Sequence, residues 1–424
     1  MRRSLMPIPC TYLLGGIVLG ILAPTVDRSL DSSLAPGVGV EAARDILTST
    51  ATGMIAFTGL VVSSVLVTVQ FAAGQYSPRL VLWFRRDRLV KNAIGSFLAA
   101  PVFALVALRQ IEVGRTSYRQ DVTVVVALVL LIAAGILFLA LLQRVIDGLR
   151  PRALYAAVTR VGLRSIRAVY PDRLGAHGDD RPGPSVIGEH ASRPVALRGK
   201  PGVVTSLDLD LMLQFAVEAD AEVELVCAVG EFVDRWQTVL RLHGEFEDDA
   251  YDSALLAAID VSDERTIDQD PELAIRIIVD TAIRALSPAA SDPATAVHAI
   301  DALEELVREL GQRDLETTFR SDSDGKPRLW WPSPDWSDLL ELAFDELRSY
   351  GVGSVQVCRR LRAALEDLRS TTPPIRHALL DEHLRRLRAS IVLAFPEGSP
   401  DLELALGTDR LGLGHSRPSV RVGD

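Results

Sequence analysis

Cysteine is scarce. The chain holds three, Cys10, Cys227 and Cys358, far apart and without CxxC spacing. That argues against a disulfide framework or a zinc ribbon and predicts three reduced thiols in or near cores. Catalytic signatures are missing too: no GxxxxGK[ST], no GxGxxG after a strand, no GxSxG and no HExxH. His377 and His383 are six residues apart, so they do not share a helix face as metal ligands would. The middle of every long apolar run is free of Asp, Glu, Lys, Arg and His. Intramembrane ionisable groups mark proton relays and coupled transport, so a proton-driven pump is disfavoured. A formal net charge of −10 argues against a nucleic-acid partner, which needs clustered Lys and Arg on its docking face. No enzyme, cofactor or metal is expected.

What the chain does have is segregated. Hydrophobic content is 48% and mean hydropathy +0.21, high beside 24% charged residues. The apolar residues crowd into the first third and most acidic ones follow it. Four runs approach the 17–25 apolar residues that a spanning helix needs. They lie at about 10–26, 53–74 (with a start as early as Ile46), 93–108 (broken by Pro101) and 122–142. The first also reads as a signal peptide, with Arg2 and Arg3 ahead of an apolar stretch. It lacks an A-x-A site and carries Pro24 where cleavage would fall, so an uncleaved anchor is expected.

Loop charge gives the orientation. The stretch "QYSPRLVLWFRRDRLVK" between the second and third runs holds Arg79, Arg85, Arg86, Arg88 and Lys91 around Trp83 and Phe84. Arg2 and Arg3 precede the first run, and Arg144, Arg150, Arg152, Arg160, Arg164 and Arg167 follow the fourth. Cytoplasmic loops retain Lys and Arg, so both termini are expected in the cytoplasm, with Trp83 at headgroup depth. The second run carries a stripe of small and polar residues, Thr52, Ala56, Gly59, Ser63, Gln70 and Ala73, with Ser63, Thr68 and Gln70 as its candidate polar lining. It reads as a helix-packing face or, alternatively, as a pore lining. Gly16 and Gly20 form a GxxxG in the first run.

Past Leu149 the pattern changes. A membrane-proximal helix and a Gly- and Pro-rich linker occupy 150–194, and a small α/β unit 195–245. Its strands are expected at "PVALR", "GVVTSLD", "AEVELVCAV" and "WQTVLRLHG", and its helix after the N-cap Asp208. A helical domain covers 250–395, and a Gly-rich tail 396–424. Asp270-Pro271 and Asp292-Pro293 each open a helix with an Asp N-cap and Pro at its first position. The short "SPAAS" between those helices predicts an antiparallel pair. Asp280, Arg284, Asp292, His298 and Asp301 lie around it and form a candidate ligand pocket, although capping and ion pairs explain them as well. "RLWWPSPDW" sets Trp330 and Trp331 in a Pro-bearing loop, buried or gripping a partner.

"FAAGQYSPRLVLWFRRDR", "RTIDQDPELAIRIIVDTAIRALSPAASDPATAVHAID" and "AFDELRSYGVGSVQVCRRLRAALEDL" together resemble the bacterial membrane-protein family called domain of unknown function 2254. The resemblance covers nearly the whole chain. It implies a multi-pass inner-membrane protein and carries no substrate or catalytic residue. Members usually read Asn-Asp-Pro where this chain has Ser291-Asp292-Pro293.

The expected fold is therefore membrane α-helical, with four transmembrane helices, followed by a cytosolic α+β region that is mostly helical. The expected role is a membrane-tethered sensor or scaffold whose cytosolic region binds a ligand or partner. The alternative is an oligomeric ion channel or transporter gated by that region. The lipid bilayer and further copies of the chain are its expected partners.

Overall fold

The computed structural model describes residues 7–29, 38–75, 88–113, 120–148, 151–175, 192–244, 250–316 and 318–409. Arg79, Trp83, Arg85 and Arg86 of the basic loop lie outside them. Two compact units divide the chain, Met1–Ala153 and Leu154–Asp424.

The first unit holds four helices long and apolar enough to cross a membrane: α1 (Pro7–Ser29), α2 (Val40–Gln75), α3 (Arg88–Val113) and α4 (Asp121–Gly148). They extend the four expected runs at every end, by one residue to more than three turns, because polar residues there continue the hydrogen-bond ladder. Helix α3 is the most buried, packing against the other three. Its contact with α1 is close because of the GxxxG. A β-carbon on Gly16 would lie 2.7 Å from the Ala99 carbonyl oxygen, and one on Gly20 would lie 2.8 Å from the Val106 side chain. Only glycine lets the two backbones approach so near. Phe57 stands edge-on to Phe97 and Phe138, at 5.6 and 5.0 Å, tying α2, α3 and α4.

One end of this bundle is sealed by a carboxylate. Asp27, near the end of α1, is buried. It accepts from the first-turn amides of Val122 (2.9 Å) and Thr123 (3.0 Å) of α4 and from the Thr123 hydroxyl (2.6 Å). Those amides have no partner within α4, and the helix dipole favours an anion there. Asp121 in turn accepts from the Val38 amide at 2.6 Å.

In the second unit, α5 (Pro151–Val169) leads into a five-stranded and a three-stranded sheet. Their strands are β1 (Ser192–Ala196), β2 (Gly202–Leu207), β3 (Glu222–Leu225), β4 (Phe232–Val233), β5 (Thr238–His243), β6 (Ile259–Ser262), β7 (Phe319–Ser321) and β8 (Pro327–Trp330). The order is β1-β5-β3-β8-β7 in one sheet and β4-β2-β6 in the other. Among the described strands only β3 and β8 pair in parallel, with Val223 opposite Leu329. Helices α6 (Leu209–Glu218) and α7 (Ala250–Ala257) complete this lobe. Val195, Val204, Met212, Val223, Leu240 and Leu329 share its core. Strands β6, β7 and β8 come from beyond 245, so the sheets draw on a wider stretch than 195–245.

The helical lobe consists of α8 (Pro271–Leu286), α9 (Pro293–Gly311), α10 (Trp336–Gly351), α11 (Val355–Thr371) and α12 (His377–Ala394), followed by the short α13 (Pro400–Ala405). Helices α8 and α9 start as their Asp-Pro pairs predict. Asp270 accepts from the Leu273 amide at 2.9 Å and Asp292 from the Thr295 amide at 3.1 Å. Ser291, just before the second cap, sits at φ +44°. Asparagine tolerates that left-handed conformation better than serine does. Replacing Ser291 with Asn should stabilise the protein by about 0.5 kcal/mol. Unfolding midpoints in detergent measure this, and no gain would contradict it.

Candidate functional site

The residues singled out around the α8–α9 pair divide between separate partners. Asp280 accepts from Arg276 at 2.6 Å, and Arg276 also reaches Glu346 of α10. Asp292 is spent on the α9 cap. His298 lies 3.7 Å from Asp301, and Asp301 accepts from Arg360 of α11 at 2.7 Å. Arg284 occupies the last turn of α8, where a cation complements the dipole. His377 bonds the Thr372 carbonyl at 2.9 Å. His383 is buried edge-on against Phe344, and burial lowers its pKa. Among the described residues no group of three His, Cys, Asp or Glu is placed to hold a metal. Burial raises the thiol of Cys227 to about 11 and that of Cys358 to about 12, so both are weak nucleophiles at neutral pH.

In the membrane unit, Gly59, Ser63 and Gln70 lie on the outer face of α2. The inner face is made by Met54, Phe57, Thr58 and Val61. A β-carbon on Gly59 would meet nothing within 4 Å. Within one chain the stripe therefore lines no passage. Arg88 begins α3 exposed, and Lys91 one turn later is buried and engaged.

The second unit contains a cleft of about 650 Å³ that the sequence reading did not single out. Its walls come from the end of α5, the starts of α6 and α8, the strand ends at Ser206 and Asp260, and the loop Trp331–Pro334. Two helix N-termini thus meet at one cavity, each capped by its own aspartate, Asp208 and Asp270. Asp172, Asp210, Asp260, Glu272 and Asp314 add five more carboxylates, against the one guanidinium of Arg320. The wall at 170–174 is pinned to the end of α9. Arg313 donates to the Pro171 carbonyl at 2.9 Å, and the Leu174 amide to the Gln312 carbonyl at 3.0 Å.

Some of this charge is already used. Asp270 accepts from Arg265 at 2.7 Å, Asp210 pairs with Arg320, and Asp260 accepts from Ser206 at 2.9 Å. Glu272 has no hydrogen bond or ion pair among the described residues. Burial pushes its carboxyl above the usual range, helped by Asp270 and opposed by Arg265. Tyr170 is buried beside it, and its hydroxyl lies 3.0 Å from that of Ser333. Burial raises this phenol to about 12, so it is neutral at physiological pH. The cavity therefore offers hydrogen-bond acceptors, negative potential and the flat surfaces of Tyr170 and Trp331.

The raised Glu272 pKa carries a sign. Between the ordinary carboxylate range and its raised value, the folded protein holds a proton that the unfolded chain has lost. Stability then falls as pH rises through that window. Glu272→Gln should flatten this part of the stability–pH curve and raise stability above the window. Thermal melts across pH test it, and an unchanged slope would refute it.

A family model described as "Predicted membrane protein (DUF2254)" matches residues 2–367. The chain belongs to that family. Among similar proteins is "Uncharacterized protein Rv1290c" of Mycobacterium tuberculosis (strain H37Rv), 27% identical over 350 residues. "Uncharacterized protein Mb1321c" of Mycobacterium bovis matches to the same extent. In both cases the alignment covers 79% of this chain and 65% of the relative, so the chain spans just under two thirds of their length. No solved structure matches.

Cleft residues such as Tyr170, Asp260, Glu272 and Asp314 went unnoticed in the sequence because they come from segments far apart in the chain. The one local signal was the pair of Asp caps, Asp208 and Asp270. Each was legible alone, but their meeting was not.

Proposed function

We propose that this DUF2254 protein is a membrane-tethered sensor. Its four helices anchor it in the inner membrane with both termini in the cytoplasm, and its α+β region binds a cytosolic ligand in the acidic cleft. The observation that carries this reading is the cavity itself, with seven lining carboxylates and one guanidinium. Such a site favours a cationic, hydrogen-bond-donating solute, such as an organic amine, over an anion. The role is binding rather than catalysis.

Thermal unfolding of the full chain in detergent tests the proposal. Putrescine, spermidine and arginine are compared with acetate and glutamate. At least one cation should raise the midpoint in a concentration-dependent way, because a ligand that binds only the folded state stabilises it. A midpoint that no cation raises would sink the reading.

The second reading is an oligomeric channel or transporter. It is favoured by the outward placement of Gly59, Ser63 and Gln70, where a second copy rather than the chain itself would be their partner. Ion flux from liposomes, reduced by Gln70→Leu, would support it. Absence of flux from inserted, folded protein would count against it.

A further inference from the structure

We propose that the exposed face of α5 is a binding surface for anionic phospholipid headgroups. Helix α5 has four arginines and no Asp or Glu, in a chain of net charge −10. At 100° per residue, Arg152, Arg160, Arg164 and Arg167 fall within an arc of about 120°, interleaved with Ala153 and Ala156. All six of these residues are exposed. The opposite arc is buried and carries Tyr155, Val158, Gly162 and Ile166. That face is locked in place at Gly162, where a β-carbon would come within 2.9 Å of Ala274 of α8 and of Leu306 of α9. The rotation of α5 is therefore fixed, and its arginines are presented outward.

Acidic partners are scarce on this face. Several exposed or half-exposed arginines on the other helices of this unit are ion-paired: Arg276 with Glu346, Arg308 with Glu304, Arg369 with Asp381, Arg386 with Glu382. On α5 only Arg167 has an acidic partner, Glu309 at 3.2 Å. Arg152, Arg160 and Arg164 have none among the described residues. Three unneutralised guanidiniums on one rigid face repel one another unless an anion lies against them.

Connectivity selects the anion. Only two residues separate the end of α4 at Gly148 from the start of α5 at Pro151. At about 3.5 Å per residue, this tether keeps the first turn of α5 within roughly 10 Å of the end of a membrane helix. Basic residues immediately beyond a spanning helix are attracted to anionic lipid, and arginine grips phosphate through paired N–H donors. The alanines between them let the guanidiniums approach the headgroup plane. The surface then reports lipid composition, a property that the cleft does not provide.

The test uses the full chain in lipid nanodiscs, with a nitroxide on Ala156→Cys in a Cys10→Ala background. Relaxation by a headgroup-anchored nickel chelate is measured in phosphatidylcholine alone and in phosphatidylcholine mixed with phosphatidylglycerol. Contact should be greater in the mixture. It should fall several-fold with Arg152→Gln, Arg160→Gln and Arg164→Gln combined, and also in high salt. The corresponding triple lysine variant should retain most of it. Near-surface attraction predicts about a fivefold loss of lipid affinity for each arginine removed. Equal contact in both lipid compositions, or a glutamine variant indistinguishable from wild type, would overturn the proposal.

Discussion

Arg360→Ala should destabilise the second unit by about 3 kcal/mol, the scale for removing one partner of a buried ion pair. Arg360 is buried on α11 and donates to Asp301 and Glu304 of α9. Glu304 is also buried, and Arg308 is its other cation. Removing Arg360 leaves a carboxylate out of water with half its compensation, plus a void where the guanidinium lay. A double change, Arg360→Met with Glu304→Leu, removes both charges and fills the space. It should recover most of the loss, because a buried pair is costly to break rather than strongly stabilising. Denaturant titration of the three proteins distinguishes this from simple truncation. If the double variant is as unstable as the single one, the ion pair is not the cause.

Asp27→Ala should cost a comparable amount, about 3 kcal/mol, and act on the membrane unit. The substitution strips acceptors from two amides and a hydroxyl at the start of α4. Each buried donor left without a partner costs roughly 1–3 kcal/mol, with some of the loss recovered by relaxation. Asp27→Asn keeps one good acceptor and should lose about half as much. Unfolding by a denaturing detergent, followed by circular dichroism, provides the measurement. A near-neutral Asp27→Ala would show that water reaches that helix start.

These two networks were not equally legible in the sequence. The four membrane helices were, because uncharged apolar runs close to bilayer thickness leave little alternative. So were the N-caps, since Asp208, Asp270 and Asp292 satisfy local amides three residues on. The GxxxG of α1 pointed to a close helix contact, and α3 supplies it through Ala99 and Val106. Asp27 was invisible as a cap because it serves a helix that starts 94 residues later. Strands β7 and β8 were missed for a related reason. Each is only three or four residues long, too short for a periodicity, and β8 joins the sheet through a parallel pairing with β3. The α2 stripe shows the limit of pattern reading. Spacing identified a common face but not which way it points, and bulkier Met54, Phe57 and Val61 took the interior. The cleft was the least legible feature, because it is assembled from helix starts, strand ends and loops that only the tertiary fold brings together.

Cation binding in the cleft is open to direct titration. Isothermal calorimetry of the full chain with spermidine would be run beside Asp260→Asn and Glu272→Gln variants, each first shown to unfold cooperatively. Saturable binding to the wild type is expected, weakened in both variants and weakened as pH falls far enough to protonate Glu272. No saturable heat in the wild type, or equal binding in all three proteins, would contradict it.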